Sequence, residues 1–225
     1  MLKKITTILS LFAITIIFFS CHKKTESITG FDVDTIGGLI VRKPNIYIYP
    51  SDKIYLTITL NFPKGGKVLE SIPHYHNGWE ITVDSSGKIN NQYEFLFYEA
   101  RIPNLLQKEY GWIIPGTDLE QFFTQNLSSL LFSEKEISDF IEYWIPLLDC
   151  DRSYVIYPHF HQELSDILEL KLSINPDNLI RVIYSIEKYQ GNENIKTPEI
   201  PAYRRKGFTV LEWGVINNTA AHEKY

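Results

Sequence analysis

Residues 54–62 read IYLTITLNF, with Leu56, Ile58 and Leu60 alternating against Tyr55, Thr57 and Thr59. A period of two sets one apolar face against one polar face on a strand and scrambles both on a helix. The run therefore demands a half-buried strand and, with it, partner strands. Similar runs cover residues 45–49, 79–83, 93–99, 153–157, 167–174, 180–188 and 207–213. Pro50-Ser51-Asp52, Pro63-Lys64-Gly65-Gly66 and Asp84-Ser85-Ser86-Gly87 break them as turns. Short strands at this spacing predict an antiparallel, sandwich-like sheet.

The period changes in the middle of the chain. Thr117 with Glu120, and Ser133 with Glu136, each place a hydroxyl three residues before a carboxylate, the pattern of a capping box. After the first, Leu119, Phe122, Phe123, Leu127, Leu130 and Leu131 form one face. After the second, Ile137, Phe140, Ile141, Trp144 and Ile145 do so, until Pro146 stops the helix. The fold class expected is α+β, a β-rich domain over residues 43–216 with a helical hairpin at 117–146 inserted in it. Residues 217–225 read as a tail.

The first 21 residues are MLKKITTILSLFAITIIFFSC. Lys3 and Lys4 precede a 15-residue apolar stretch. That is the length of a secretory signal and short of the ~20 residues of a membrane span. An uncleaved N-terminal anchor is the competing reading. Residues 18–21, FFSC, resemble a bacterial lipobox with Phe18 where leucine is usual. The resemblance implies removal of residues 1–20, a diacylglyceryl thioether on Cys21, and an N-acyl chain such as palmitate. Multiple acyl chains hold a protein stably on a membrane. Residues 21–42 would then be a lipid-anchored tether, and the absence of an acidic run after Cys21 points to a periplasm-facing position.

Removing residues 1–20 takes two lysines and no acid, which leaves a net charge of −7. A general nucleic-acid binder needs a basic face, so that class is excluded. With Cys21 acylated, Cys150 has no disulfide partner and reads as a half-buried small residue rather than a nucleophile.

Several stretches together resemble an uncharacterised family of secreted or lipid-anchored bacterial proteins. They are KPNIYIYP at 43–50, Gly78-Trp79, YEFLFYE at 93–99, EKEISDFIEYWIP at 134–146, PDNLIRV at 176–182 and RKGFTVLEWG at 205–214. The resemblance spans residues 43–215 and implies export, but no activity, ligand or catalytic residue.

Three constellations offer chemistry. The chain has six histidines, and four stand in two Pro-His-aromatic-His units: His74 and His76 after Pro73, and His159 and His161 after Pro158. On a strand, residues i and i+2 share a face about 6.6 Å apart. Two such strands side by side could surround a Zn²⁺ with four imidazoles, or with three and a water, with Glu163 as an extra ligand or base. Equally, the rings could simply be hydrated while Tyr75 and Phe160 turn inward. Glu99 and Glu212, each among aromatics, could form the acid/base pair of a glycosidase. They could also face solvent or pair with Arg101, Arg181 or Arg205. Trp79, Trp112, Trp144 and Trp213 could line a groove for sugar, although strand and helix packing accounts for most of them. No Gly-rich phosphate loop and no Gly-x-Ser-x-Gly elbow occurs.

The sequence thus predicts a cell-envelope lipoprotein, held to the membrane by its lipid, that binds an envelope protein or glycan without catalysis or cofactor. The alternatives are a zinc-dependent hydrolase or zinc-stabilised domain using His74, His76, His159 and His161, and a glycosidase using Glu99 and Glu212.

Overall fold

The computed structural model describes residues 38–219. The expected signal, Cys21 and most of the expected tether lie outside the described residues, as do residues 220–225 of the expected tail. Among the described residues, ten strands and three α-helices form two sheets and a helical layer. In chain order the strands are β1 (Leu39–Tyr49), β2 (Ile54–Asn61), β3 (Lys67–Ile72), β4 (Trp79–Val83), β5 (Leu96–Ile102), β6 (Trp112–Pro115), β7 (Ser153–Phe160), β8 (Glu169–Leu172), β9 (Asn178–Lys188) and β10 (Thr209–Asn217). The helices are α1 (Leu119–Ser129), α2 (Glu134–Trp144) and α3 (His161–Ser165). The ordered sheet begins at Leu39, inside the stretch expected to be tether.

The large sheet has the order β3-β5-β1-β10-β9-β7-β6 and the small one β4-β2-β8. All pairings are antiparallel except β9 with β10. Parallel neighbours need a crossover of a dozen or more residues. Residues 189–208, a polar stretch that contains Pro198 and Pro201, supply it.

Two apolar cores lie on opposite faces of the large sheet. Leu56, Ile58, Trp79 and Ile81 of the small sheet, with Leu164 of α3 and Leu168 just after it, pack on Ile46, Ile48, Tyr98, Ile183 and Val210. Phe123, Leu127, Phe140 and Trp144 of the hairpin pack on Tyr47, Val182, Tyr184, Leu211 and Trp213. The central strands are buried on both faces, which is why β9 and β10 read as nearly continuous apolar runs. A bulge in β1 between Arg42 and Asn45, with Lys43 at φ 52°, switches side-chain parity: Val41 and Ile46 share a face although five residues apart.

Hydrogen bonds join the stretches at 43–50, 134–146, 176–182 and 205–214. Arg205 donates twice to Glu136, at 2.8 Å each, and the indole N–H of Trp213 donates to the Glu136 carbonyl at 3.1 Å. The Tyr47 hydroxyl reaches Asp139 at 2.9 Å. Asp177 accepts from the Phe208 N–H at 2.8 Å, beside Gly207 at φ 73°, where any Cβ would collide with that carboxylate. These stretches fasten the helices and the crossover to the sheet. No helix among the described residues is long and apolar enough to cross a membrane.

Candidate functional site

The two histidine pairs take different positions, and neither forms the two-ligand strand face expected. β7 ends at Phe160 and α3 begins at His161, so the i, i+2 relation breaks between His159 and His161. His159 is fully buried, its Nε2 lies 2.9 Å from the Ser185 hydroxyl, and burial pushes its pKa down to about 3. Nδ1 has no partner among the described residues. The ring contributes to the lining of a cavity of about 310 Å³ with Leu105, Leu106 and Ile167, and with Lys64, Glu163 and Asp166. Gln107, on the same wall, has its amide committed to Tyr110 and Pro158 and to the N–H groups of Glu109 and Tyr110.

His161 is half-buried; burial and the nearby Arg181 charge lower its pKa. Partial burial raises that of Glu163. Among the described residues, the sole cluster of three or more metal-type ligand atoms within 4.8 Å is Asp149, Cys150 and Asp151. The four-imidazole zinc site, with Glu163 beside it, is therefore not assembled. Cys150 is exposed rather than half-buried. The neighbouring Asp149 carboxylate accepts from Arg152 and from the Asp151 N–H.

Glu99 and Glu212 part company as well. Glu212 is fully buried, accepting from the Tyr98 hydroxyl at 2.6 Å and from Arg181 Nε at 2.5 Å. Arg181 also donates to the Leu168 carbonyl at 2.9 Å. Because Tyr98 faces Glu212, its neighbour Glu99 points to the opposite face of the sheet. Burial raises the Glu99 pKa, against the opposing charge of Arg42. Two carboxyls on opposite faces cannot flank one glycosidic bond. Of the arginines weighed as partners, Arg181 pairs with Glu212.

His74 and His76 occupy the loop between β3 and β4, which opens with a cis Ile72–Pro73 bond. Hydrogen bonds hold this loop at several points. The Trp79 indole donates to the Pro73 carbonyl at 2.8 Å, the Tyr75 N–H donates to Ser71 Oγ at 2.6 Å, and the Leu60 N–H donates to the Tyr75 hydroxyl at 2.8 Å. Tyr75 turns inward against Trp79 at 4.7 Å between ring centroids, which leaves both imidazoles exposed. Their centroids are 4.5 Å apart and their planes nearly perpendicular.

Both rings line a cavity of about 500 Å³ whose other walls include Thr57, Asn77, Glu80 and Asn90. Glu80 accepts from the hydroxyl of Tyr55 at 2.9 Å, and Tyr55 is 60% exposed on the same outer face of the small sheet. The tryptophans expected to be core are so: Trp79, Trp144 and Trp213 are buried. The exposed aromatic beside the cavity is a tyrosine instead. Its outward place in the alternation of β2 was legible, but its link to Glu80 was not.

No family model matches the chain, and no curated protein or solved structure matches it.

Proposed function

We propose that this chain is a lipid-anchored binding domain of the bacterial cell envelope, non-enzymatic, which takes a glycan at the cavity beside the His74–His76 loop. The observation that carries this reading is the cavity's composition. Hydroxyl, amide, imidazole and carboxylate groups surround about 500 Å³, with the exposed ring of Tyr55 joined to its wall through Glu80. Sugars are bound by hydrogen-bonding groups set around an aromatic surface, and pockets of this size hold small ligands.

The buried ion pair Arg181–Glu212 and the Glu136–Arg205 clamp act as structural fastenings, whereas the cavity beside the His74–His76 loop is open and lined by polar groups. The apolar signal, the lipobox-like FFSC and the resemblance to exported proteins support the location. Titration of soluble peptidoglycan fragments, followed by NMR, tests the reading. Saturable shifts around Thr57 and Asn77 are expected, with Tyr55→Ala weakening binding by at least about fivefold, roughly 1 kcal/mol. Shifts elsewhere, or none, refute it. Replacing Cys21 with serine should move the protein out of the membrane fraction.

A further inference from the structure

We infer that His74 and His76 together hold a divalent transition-metal ion, copper(II) before others, as two adjacent ligands of a tetragonal site. The inference rests on the reading of this cavity as the binding surface and adds an ion to it. Neither imidazole is held by a hydrogen bond to another described residue, and both rings are exposed, so their nitrogens are free to ligate. The loop that carries them is fixed through Tyr75 and Trp79, so little order has to be imposed when an ion arrives.

The spacing is compatible with a shared ion. With a metal–nitrogen bond of ~2.0–2.1 Å and about 1.15 Å from nitrogen to ring centre, a ligated ring centre lies about 3.2 Å from the ion. Two such rings at 90° have centres about 4.5 Å apart; at the tetrahedral angle the separation is about 5.2 Å. The observed separation is 4.5 Å. Adjacent nitrogens at 90° are the tetragonal arrangement of copper(II) or nickel(II), and copper(II) is the more tightly held.

No third His, Cys, Asp or Glu ligand atom groups with this pair within 4.8 Å among the described residues. The remaining positions therefore belong to water or to the bound molecule. Such an ion is exchangeable, and it can accept hydroxyl or carboxylate oxygens from a glycan in the same cavity.

The test uses the full chain, untagged and in detergent. His22→Ala and His222→Ala are included so that the histidines outside the described residues do not compete. Copper(II) is titrated in and followed by electron paramagnetic resonance. One ion per chain is expected, with a tetragonal spectrum and hyperfine coupling to two nitrogens. His74→Ala or His76→Ala should each weaken binding on the order of tenfold or more, because a chelate becomes a single ligand. His161→Ala should leave it unchanged. An unaltered spectrum and affinity in the double variant His74→Ala/His76→Ala overturns the inference, as does coupling to one nitrogen in the parent. Both substitutions lie on an exposed loop, and an unchanged melting temperature shows that the fold is kept. The readout needs no glycan, so failure of glycan binding and failure of copper binding are separately visible.

Discussion

His159 is a base kept neutral inside a sheet. Its ring is fully buried beside Ser185, and burial pushes its pKa down to about 3, whereas an unfolded histidine titrates near ~6.5. Between those values the unfolded chain binds a proton that the native state refuses, so stability must fall as pH falls through that window. From pH 7.5 to pH 5.5 the loss from this one residue is about 1.4 kcal/mol. His159→Gln keeps a group able to reach Ser185 and cannot titrate. Urea unfolding at the two pH values should show the parent losing about that much more than the variant. Equal pH dependence in both proteins would mean that the ring takes up its proton in the fold as readily as in the unfolded chain. Glu212 shows the other solution to burial. It is matched by partners, with Arg181 and Tyr98 around it at 2.5 and 2.6 Å.

At the scale of elements, two capping boxes were legible in the sequence and the structure uses one. Ser133 accepts from the Glu136 N–H while the Glu136 carboxylate accepts from the Ser133 N–H, and the same carboxylate takes two bonds from Arg205. Burial opposes ionisation of Glu136, but the bonds from Arg205, Tyr49 and the Ser133 N–H outweigh it and hold the carboxyl below its ordinary range. Before α1 a 3₁₀ turn over Gly116–Asp118 intervenes, Asp118 becomes the N-cap, and the Thr117 hydroxyl bonds to Asp118 instead. Ser133→Ala should therefore cost about 1 kcal/mol, and Thr117→Ala no more than a few tenths, by thermal or urea unfolding. Equal costs would contradict this assignment. The same distinction separates the strands that could be read from those that could not. Alternation in β2 and β4 marks a sheet with one wet face. The edge strands β3 and β6, with patterns as short as WIIP, carry too few buried side chains to announce themselves. The histidine loop reads as a strand in the sequence because a Pro-His-aromatic-His unit alternates whether or not neighbouring strands bond to it. Its cavity depends on Thr57 and Glu80, brought beside it by the pairing of β2 with β4, a register that spacing along the chain does not contain.

The whole described unit has two cores but one set of strands between them. β1 sends Ile46 and Ile48 to the small-sheet side and Tyr47 to the helical side; β10 sends Val210 one way and Leu211 and Trp213 the other. Neither core can be lost while the other keeps its wall, because each residue of β1, β9 or β10 that leaves one core drags its neighbour out of the other. The Glu136–Arg205 clamp ties the hairpin to the same sheet, and Arg181 ties the sheet to the Leu168 carbonyl beyond α3. Cooperative unfolding of a single unit follows. Trp79 reports on the small-sheet core and Trp213 on the helical one. Variants with Trp112 and Trp144 replaced by Phe, and with either Trp79 or Trp213 as the remaining indole, should give the same urea midpoint and slope once each is corrected to a common stability by circular dichroism. A Trp79 transition well below that of Trp213 would mean that the small sheet opens by itself. The histidine loop hangs from that sheet through Trp79 and Tyr75, so its cavity would then be a feature of a labile flap. A shared midpoint means that the small sheet beneath the cavity holds until the whole unit unfolds, so a preformed site for an exchangeable ligand can persist there.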